Sequence, residues 1–176
     1  MINLGALMHQ YNPYTYITLQ LPYTYISLQL PIIPEAQEII PREIPKDCTV
    51  LIVEDNVSNY FLLVRLLGHL GIRCEWKTSG FEVVEFADNL PRIDLILMDI
   101  RLPYEDGYEA MRKIKSSGRF NSTPIVAVTA EGSMEQIHKA KNAGFNGFLG
   151  KPVDPDKFPD QILSLLFGDS VWDLNE

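Results

Sequence analysis

The chain has 176 residues, of which 22% are charged and 46% hydrophobic, and its formal net charge is −8 at pH 7. This length suits one α/β domain with an extension, and the composition is typical of globular proteins. The acidic balance argues against a general nucleic-acid binder, and no uninterrupted apolar run of 18 residues predicts a membrane span. We therefore expect a cytoplasmic protein with no nucleic-acid and no membrane partner.

The N-terminal segment, residues 1–34, contains no charged side chain and holds a tandem repeat. Residues 14–22 (YTYITLQLP) are followed at once by residues 23–31 (YTYISLQLP). Each copy alternates in the manner of a β-strand, and two copies form at most a hairpin. We interpret the repeat as a duplication without a selected role, and a docking strand is the alternative.

The rest of the chain divides into three parts. Residues 35–46 form a Pro-rich linker, residues 47–168 a globular domain and residues 169–176 an acidic tail that we expect to fray. Neither Cys48 and Cys74 nor the histidines have the spacing of a metal or redox motif, so we assign them no role.

Strand and helix patterns alternate through the globular domain. The predicted strands are 49–53, 73–77, 94–98, 124–128 and 147–150. Helices are predicted over 57–70, 81–89, 106–115, 133–143 and from about 154 to 168. Gly71 fits a left-handed helix end, Ser133 with Gln136 fits a capping box, and Asp154 before Pro155 fits a helix start. The pattern predicts a doubly wound, five-stranded parallel sheet with helices on both faces.

Polar residues follow the strands of this predicted sheet. Glu54 and Asp55 follow the first strand, and Asp99, Thr129 and Lys151 follow the third, fourth and fifth. Carboxyl ends of parallel strands share one edge, so we expect three carboxylates to meet there. Such a cluster is stable only if it is protonated or if a cation neutralises it, and oxygen ligands suit Mg²⁺. A phosphoryl site follows, with Asp99 as nucleophile.

Three donors would contact the transferred phosphoryl group. They are the Thr129 hydroxyl, the backbone N–H of Ala130 and the Lys151 ammonium.

The acidic pair in VEDN, the acceptor in LMDIRLP, the hydroxyl in VAVTA and the lysine in GKP occur in this order along the chain. Over about residues 49–168 they resemble the receiver domains of two-component response regulators, of the single-domain chemotaxis-regulator type. The resemblance implies a flavodoxin-like strand order, 2-1-3-4-5. It also implies a phosphorelay in which Asp99 takes its phosphoryl group from a histidine kinase or a histidine phosphotransfer protein.

The same resemblance implies a ligand set and a switch. Mg²⁺, with Mn²⁺ as an alternative ion, would be held by Glu54, Asp55, Asp99 and the backbone carbonyl of Arg101. Thr129 and Phe148 would form the switch that remodels a partner-binding face. The Lys151–Pro152 peptide bond is expected to be cis.

Few residues follow Pro152, so we expect output through a downstream protein effector rather than a DNA-binding domain. The domain is then a phosphoacceptor rather than an enzyme, with self-phosphorylation and self-dephosphorylation as its only chemistry. A phosphorylation-independent interaction module and a phosphate sink are the alternatives. A phosphatase or mutase is disfavoured because Arg101 stands where a second acidic residue would serve as general acid. A receiver after a long linker also fits the end of a hybrid kinase.

Overall fold

The computed structural model describes residues 14–21, 24–31 and 43–174, and the chain divides into two compact units between Pro41 and Arg42. The first unit contains two antiparallel strands, β1 (Tyr14–Leu21) and β2 (Thr24–Pro31). Their register pairs Tyr14 with Pro31 and Leu21 with Thr24. Each copy of the repeat therefore supplies one strand of a hairpin. Most of the predicted linker and residues 1–13 lie outside the described residues.

The second unit is built on a parallel sheet. Its strands are β3 (Thr49–Val53), β4 (Arg73–Lys77), β5 (Leu95–Met98), β6 (Ile125–Thr129), β7 (Gly147–Gly150) and β8 (Trp172–Asp173). The order across the sheet is β4-β3-β5-β6-β7-β8, and all neighbours are parallel. Counted within this unit, the order is 2-1-3-4-5-6, which confirms the predicted doubly wound, flavodoxin-like fold.

Five helices cover the two faces of this sheet in residues 43–174. They are α1 (Val57–His69), α2 (Val83–Asp88), α3 (Gly107–Ser116), α4 (Met134–Ala143) and α5 (Phe158–Leu166). Alternate strand residues face opposite ways, so Leu51 and Val53 pack with α2, α3 and α4 whereas Val50 and Ile52 pack with α1 and α5. This burial on both faces explains why the sequences of β3, β5 and β6 are nearly continuous apolar runs.

Capping residues lie at the ends of several helices. The side chains of Asn56, Asp106 and Ser133 accept hydrogen bonds from backbone N–H groups in the first turns of α1, α3 and α4. Gly71 follows α1 in the left-handed conformation, with φ 71°. None of the helices in the described part of the chain has the length and apolar character needed to cross a membrane.

Two helices begin two or more residues later than predicted. Glu82 adopts a left-handed conformation with φ 55°, which interrupts helical hydrogen bonding, so α2 begins at Val83 rather than at residue 81. The Asp154 carboxylate accepts a hydrogen bond from the Asp156 N–H at 2.9 Å and closes a separate turn. Because Pro159 is tolerated only in the first turn of a helix, α5 begins at Phe158.

The tail also differs from the prediction. Residues 172–173 form β8 along β7 instead of fraying, because the backbone and side chains of the tail have partners on β7, α4 and α5. The sheet therefore has six strands rather than five.

Candidate functional site

The predicted site residues lie at the carboxyl edge of the sheet, where backbone hydrogen bonds join the ends of neighbouring strands. The Asp99 N–H donates to the Val53 carbonyl at 2.9 Å, which ties the end of β5 to the end of β3. The Lys151 N–H donates to the Thr129 carbonyl at 2.8 Å, which ties β7 to β6. Residues far apart in sequence are thereby held side by side.

Three carboxylates form an acidic cluster at this edge. Oxygen atoms of Glu54, Asp55 and Asp99 lie within 4.8 Å of one another. Glu54 and Asp99 are buried, whereas Asp55 is exposed. Among the residues that the structure describes, no other group of His, Cys, Asp and Glu side chains is arranged to hold a metal ion.

Lys151 places its ammonium between the two buried carboxylates. Its Nζ lies 2.5 Å from Glu54 Oε2 and 2.6 Å from Asp99 Oδ2, and its side chain is only 10% exposed. Like charges held this closely repel strongly away from water, and the ammonium lies between the two carboxylates as their counter-charge.

Glu54 is further held by partners that the sequence analysis did not identify. Its Oε1 accepts hydrogen bonds from the Asn56 N–H and the Asn59 side-chain amide, both at 3.1 Å. The indole N–H of Trp76 donates to the Glu54 carbonyl at 2.8 Å, and Tyr60 stacks on the indole with 3.9 Å between ring centres. The sequence could have identified Asn56 as the N-cap of α1. It could have identified Trp76 as a neighbour of the first strand, because the expected strand order places β4 beside β3.

The loop after β5 holds the Asp99 side chain. Asp99 Oδ1 accepts a hydrogen bond from the Arg101 N–H at 3.0 Å. Arg101, whose backbone carbonyl is the predicted metal ligand, is therefore hydrogen-bonded directly to Asp99. The Arg101 guanidinium pairs with Glu131, which joins the loops after β5 and β6. At Gly107 any Cβ atom would come within 2.2 Å of the Asp99 carbonyl oxygen, so only glycine fits beside the acceptor.

The predicted phosphoryl contacts and switch residues lie on β6, β7 and their ends. Thr129 is fully buried and its hydroxyl oxygen accepts from the Glu131 N–H at 3.3 Å, while Ala130 lies exposed directly after it. Phe148 pairs with Ala127 and is fully buried, three residues before Lys151. The Lys151–Pro152 peptide bond is cis.

The two cysteines lie apart from this site and are free thiols. Burial is the main cause that raises the pKa of Cys48 and of Cys74, in each case to about 11. At neutral pH both thiols are therefore protonated and poorly nucleophilic, in keeping with packed residues.

Comparison with known proteins gives consistent matches. The sequence profile of the family described as response regulator receiver domain matches residues 50–163. The signal transduction histidine-protein kinase BarA of Escherichia coli K12 is 35% identical over 123 residues, which are 70% of this chain and 13% of that protein. The uncharacterized transcriptional regulatory protein YbdJ of Bacillus subtilis is 36% identical over 110 residues, 62% of this chain and 47% of that protein. The chain thus spans less than half of the length of either relative.

Solved structures share the fold. The receiver domain of the sensor histidine kinase PA1611 from Pseudomonas aeruginosa, solved with magnesium ion coordinated in its active site cleft, has a TM-score of 0.62 and 34% identity. That match covers 70% of this chain and 99% of the domain. The chemotaxis protein CheY4 of Vibrio cholerae has a TM-score of 0.63 and 27% identity, covering 68% of this chain and 98% of that one.

Proposed function

Because this chain belongs to the response regulator receiver domain family, we propose that Asp99 accepts a phosphoryl group and that the domain, residues 47–168, reports this event to a protein partner. One observation carries the proposal. The Lys151 ammonium lies within 2.6 Å of both Glu54 and Asp99, so an acceptor carboxylate, a metal-holding carboxylate and a phosphoryl-binding cation meet at one sheet edge.

The donor set fits a magnesium ion. Mg²⁺ prefers oxygen ligands and usually takes one or two carboxylates while waters and phosphate oxygens complete its shell. Glu54, Asp55 and Asp99 bring oxygens within 4.8 Å of one another, and the backbone carbonyl of Arg101 belongs to the adjacent loop. When bound there, Mg²⁺ or Mn²⁺ would supply positive charge against the transferring phosphoryl group.

The chain's own residues then supply the remaining chemistry. A carboxylate oxygen of Asp99 bonds to phosphorus while the bond from phosphorus to the imidazole nitrogen of a phosphohistidine breaks, and the electron pair stays on that nitrogen. Lys151 moves from Glu54 to a phosphoryl oxygen, the Thr129 hydroxyl donates to a second oxygen, and the Ala130 N–H donates to the third.

The phosphodonor is a histidine kinase or a histidine phosphotransfer protein, and the product is a signalling state rather than a released compound. The acyl phosphate shifts Thr129 and Phe148, and thereby a face that a downstream effector reads, with the whole relay taking place in the cytoplasm.

The direct test is the intact mass of the full chain after incubation with acetyl phosphate, with and without Mg²⁺. We expect a mass increase of one phosphoryl group that requires Mg²⁺. The Asp99→Asn variant should show no increase, whereas Asp156→Asn, which removes an exposed carboxylate outside the site, should label as the wild type does.

Labelling of the Asp99→Asn variant would assign the acceptor elsewhere. Absence of labelling in the wild type under every condition would instead favour an interaction module that works without phosphorylation.

A further inference from the structure

A cavity of about 530 Å³ opens between α2 and α3. Its wall includes Phe81 from the loop before α2, Glu105 from the loop before α3, and Lys113 from α3 itself. The volume lies in the range of about 300–1,000 Å³ that is usual for small-molecule sites. None of the predicted phosphoryl-site residues lines this cavity, so a ligand bound there would leave the acidic cluster free.

Gly80 brings the two loops of the wall together. A Cβ atom on Gly80 would lie 2.9 Å from the Glu105 carbonyl oxygen and 3.1 Å from the Ala110 Cβ, which is closer than such atoms normally approach. Gly80 has no positive φ, so its missing side chain serves this close approach rather than a turn. The approach fixes Glu105 at the wall of the cavity.

The Glu105 carboxylate at this wall is buried and only half satisfied. Its side chain is 8% exposed, and the Lys113 Nζ lies 2.5 Å from its Oε2. Its Oε1 has no hydrogen-bond partner among the described residues. A buried charged oxygen without a donor carries a desolvation cost, so a further donor at this carboxylate would be favourable.

Lys113 is poorly suited to satisfy both oxygens of Glu105. Its ammonium is a point charge on a flexible stem, and it is shared with Glu109, whose Oε1 lies 3.2 Å away. The Lys113 side chain is half-exposed, so it can turn to Glu109 and leave Glu105 to another cation. A guanidinium pairs with both oxygens of a carboxylate at once, through two parallel N–H donors.

Further carboxylates give the cavity an excess of negative charge. Glu82 and Glu85 line it and are exposed, and neither side chain forms an ion pair with any other described residue. Asp88 also lines it and pairs with Arg119 at 3.4 Å. Since Lys113 is the one cation among the lining residues, the cavity favours a ligand with more than one positive charge.

An exposed aromatic ring belongs to the same wall. Phe81 is more than half exposed, and no cation of the described residues lies over its ring. Lys77, which lines a smaller neighbouring cavity with Glu82 and Glu85, lies 5.7 Å from the ring of Phe86 instead. Aromatic faces attract organic cations, and guanidinium groups stack on them readily.

We propose that this cavity binds a small organic dication with a guanidinium at one end and an ammonium at the other. The guanidinium pairs with both oxygens of Glu105, and Phe81, Glu82 and Glu85 hold the rest of the ligand. Lys113 is the cation that this ligand displaces.

The test titrates the full chain with agmatine, which joins a guanidinium to an ammonium through an alkyl chain, and follows backbone amide shifts by nuclear magnetic resonance. We expect saturable shifts at Gly80, Phe81 and Glu105. Glu105→Gln, which keeps the shape of the side chain, should weaken binding by about tenfold. Glu85→Gln, which changes only an exposed carboxylate, should weaken it by about threefold.

Glu135→Gln is the matched control, because Glu135 is an exposed carboxylate outside the cavity, and this variant should bind agmatine as the wild type does. Lys113→Met should bind agmatine more tightly, by about threefold, because the competing cation is removed. The exposed Lys46 supplies the corresponding control, Lys46→Met, which should leave binding unchanged.

Putrescine, which has an ammonium at both ends, should bind more weakly than agmatine, and equal binding of the two would overturn recognition of the guanidinium. Tighter binding of a blocked tripeptide with a central arginine than of agmatine would overturn the free dication and assign the guanidinium to a protein. Shifts that do not saturate would overturn the site itself, as would wild-type affinity in both Glu105→Gln and Glu85→Gln.

Discussion

Lys151 explains how two carboxylates can be buried together at the end of a sheet. Removing one member of a buried ionic group leaves an uncompensated charge, which costs more than the group itself contributes. Here the ammonium lies 2.5 Å from Glu54 and 2.6 Å from Asp99, within direct ion-pair distance of both carboxylates. The same side chain is thus both a structural counter-charge and the proposed phosphoryl ligand.

We expect Lys151→Ala to lower the free energy of unfolding at pH 7 by about 3–5 kcal/mol, because Glu54 and Asp99 then repel each other without compensation. Saturating Mg²⁺ should restore more stability to this variant than it adds to the wild type, since the ion would replace the missing charge. Urea unfolding with and without Mg²⁺ measures both effects.

Arg73→Ala is the matched control. Arg73 pairs with Asp47 on the surface, where both side chains are about 70% exposed, so its loss should change stability by less than about 1 kcal/mol and leave the Mg²⁺ response unaltered. An equal Mg²⁺ response in Lys151→Ala and the wild type would contradict the counter-charge role.

At the scale of elements, one glycine lies inside α1 and another lies just after its end, and the two differ in backbone conformation. Gly68 lies in the last turn of the helix, whereas Gly71 follows it with φ 71°. A Cβ atom on either glycine would meet no atom within 4 Å, so steric contact does not distinguish the two positions. Only backbone conformation does.

Gly68→Ala and Gly71→Ala should therefore change stability in opposite directions. Alanine at 68 should stabilise the protein by about 0.5–1 kcal/mol through helix propensity, and alanine at 71 should destabilise it by about 1 kcal/mol through left-handed strain. Thermal unfolding of the pair decides the matter, and two shifts of the same sign would refute the reasoning.

Strand periodicity, glycine positions and capping residues predicted most of these elements and the sheet edge that carries the acidic cluster. The expected strand order placed β4 beside β3, but the hydrogen bond from Trp76 to Glu54 also depends on the direction of the indole, which strand order alone does not give. β8 was missed because two residues have no periodicity, and its stability comes from partners on α4, α5 and β7. Glu82 gave no sign of its left-handed conformation, since side-chain type alone rarely predicts one.

For the whole molecule, the order of the strands determines how well each one is protected. β5 and β6 lie inside the sheet with fully buried residues on both faces, whereas β4 and β8 form its edges. An edge strand can detach while the rest of the sheet remains intact, but a central strand cannot.

Native-state hydrogen exchange should accordingly show the slowest amides in β5 and β6, with exchange that follows the free energy of global unfolding. Amides of β8 should exchange by local opening, at rates insensitive to low urea, and β4 should lie between the two. Mass spectrometry of peptide fragments resolves these regions, and global-unfolding protection of β8 would contradict this ranking.

The direction of β8 has a practical consequence for placing reporters on this protein. Because β8 is parallel to β7, it ends on the side of the sheet where Asp99 and Lys151 lie. An antiparallel tail would have emerged at the opposite side, where the chain enters β3 near Lys46. A fluorophore attached at the end of β8 would therefore lie at the same sheet edge as the acidic cluster, whereas one attached at Lys46 would lie at the opposite edge of the sheet.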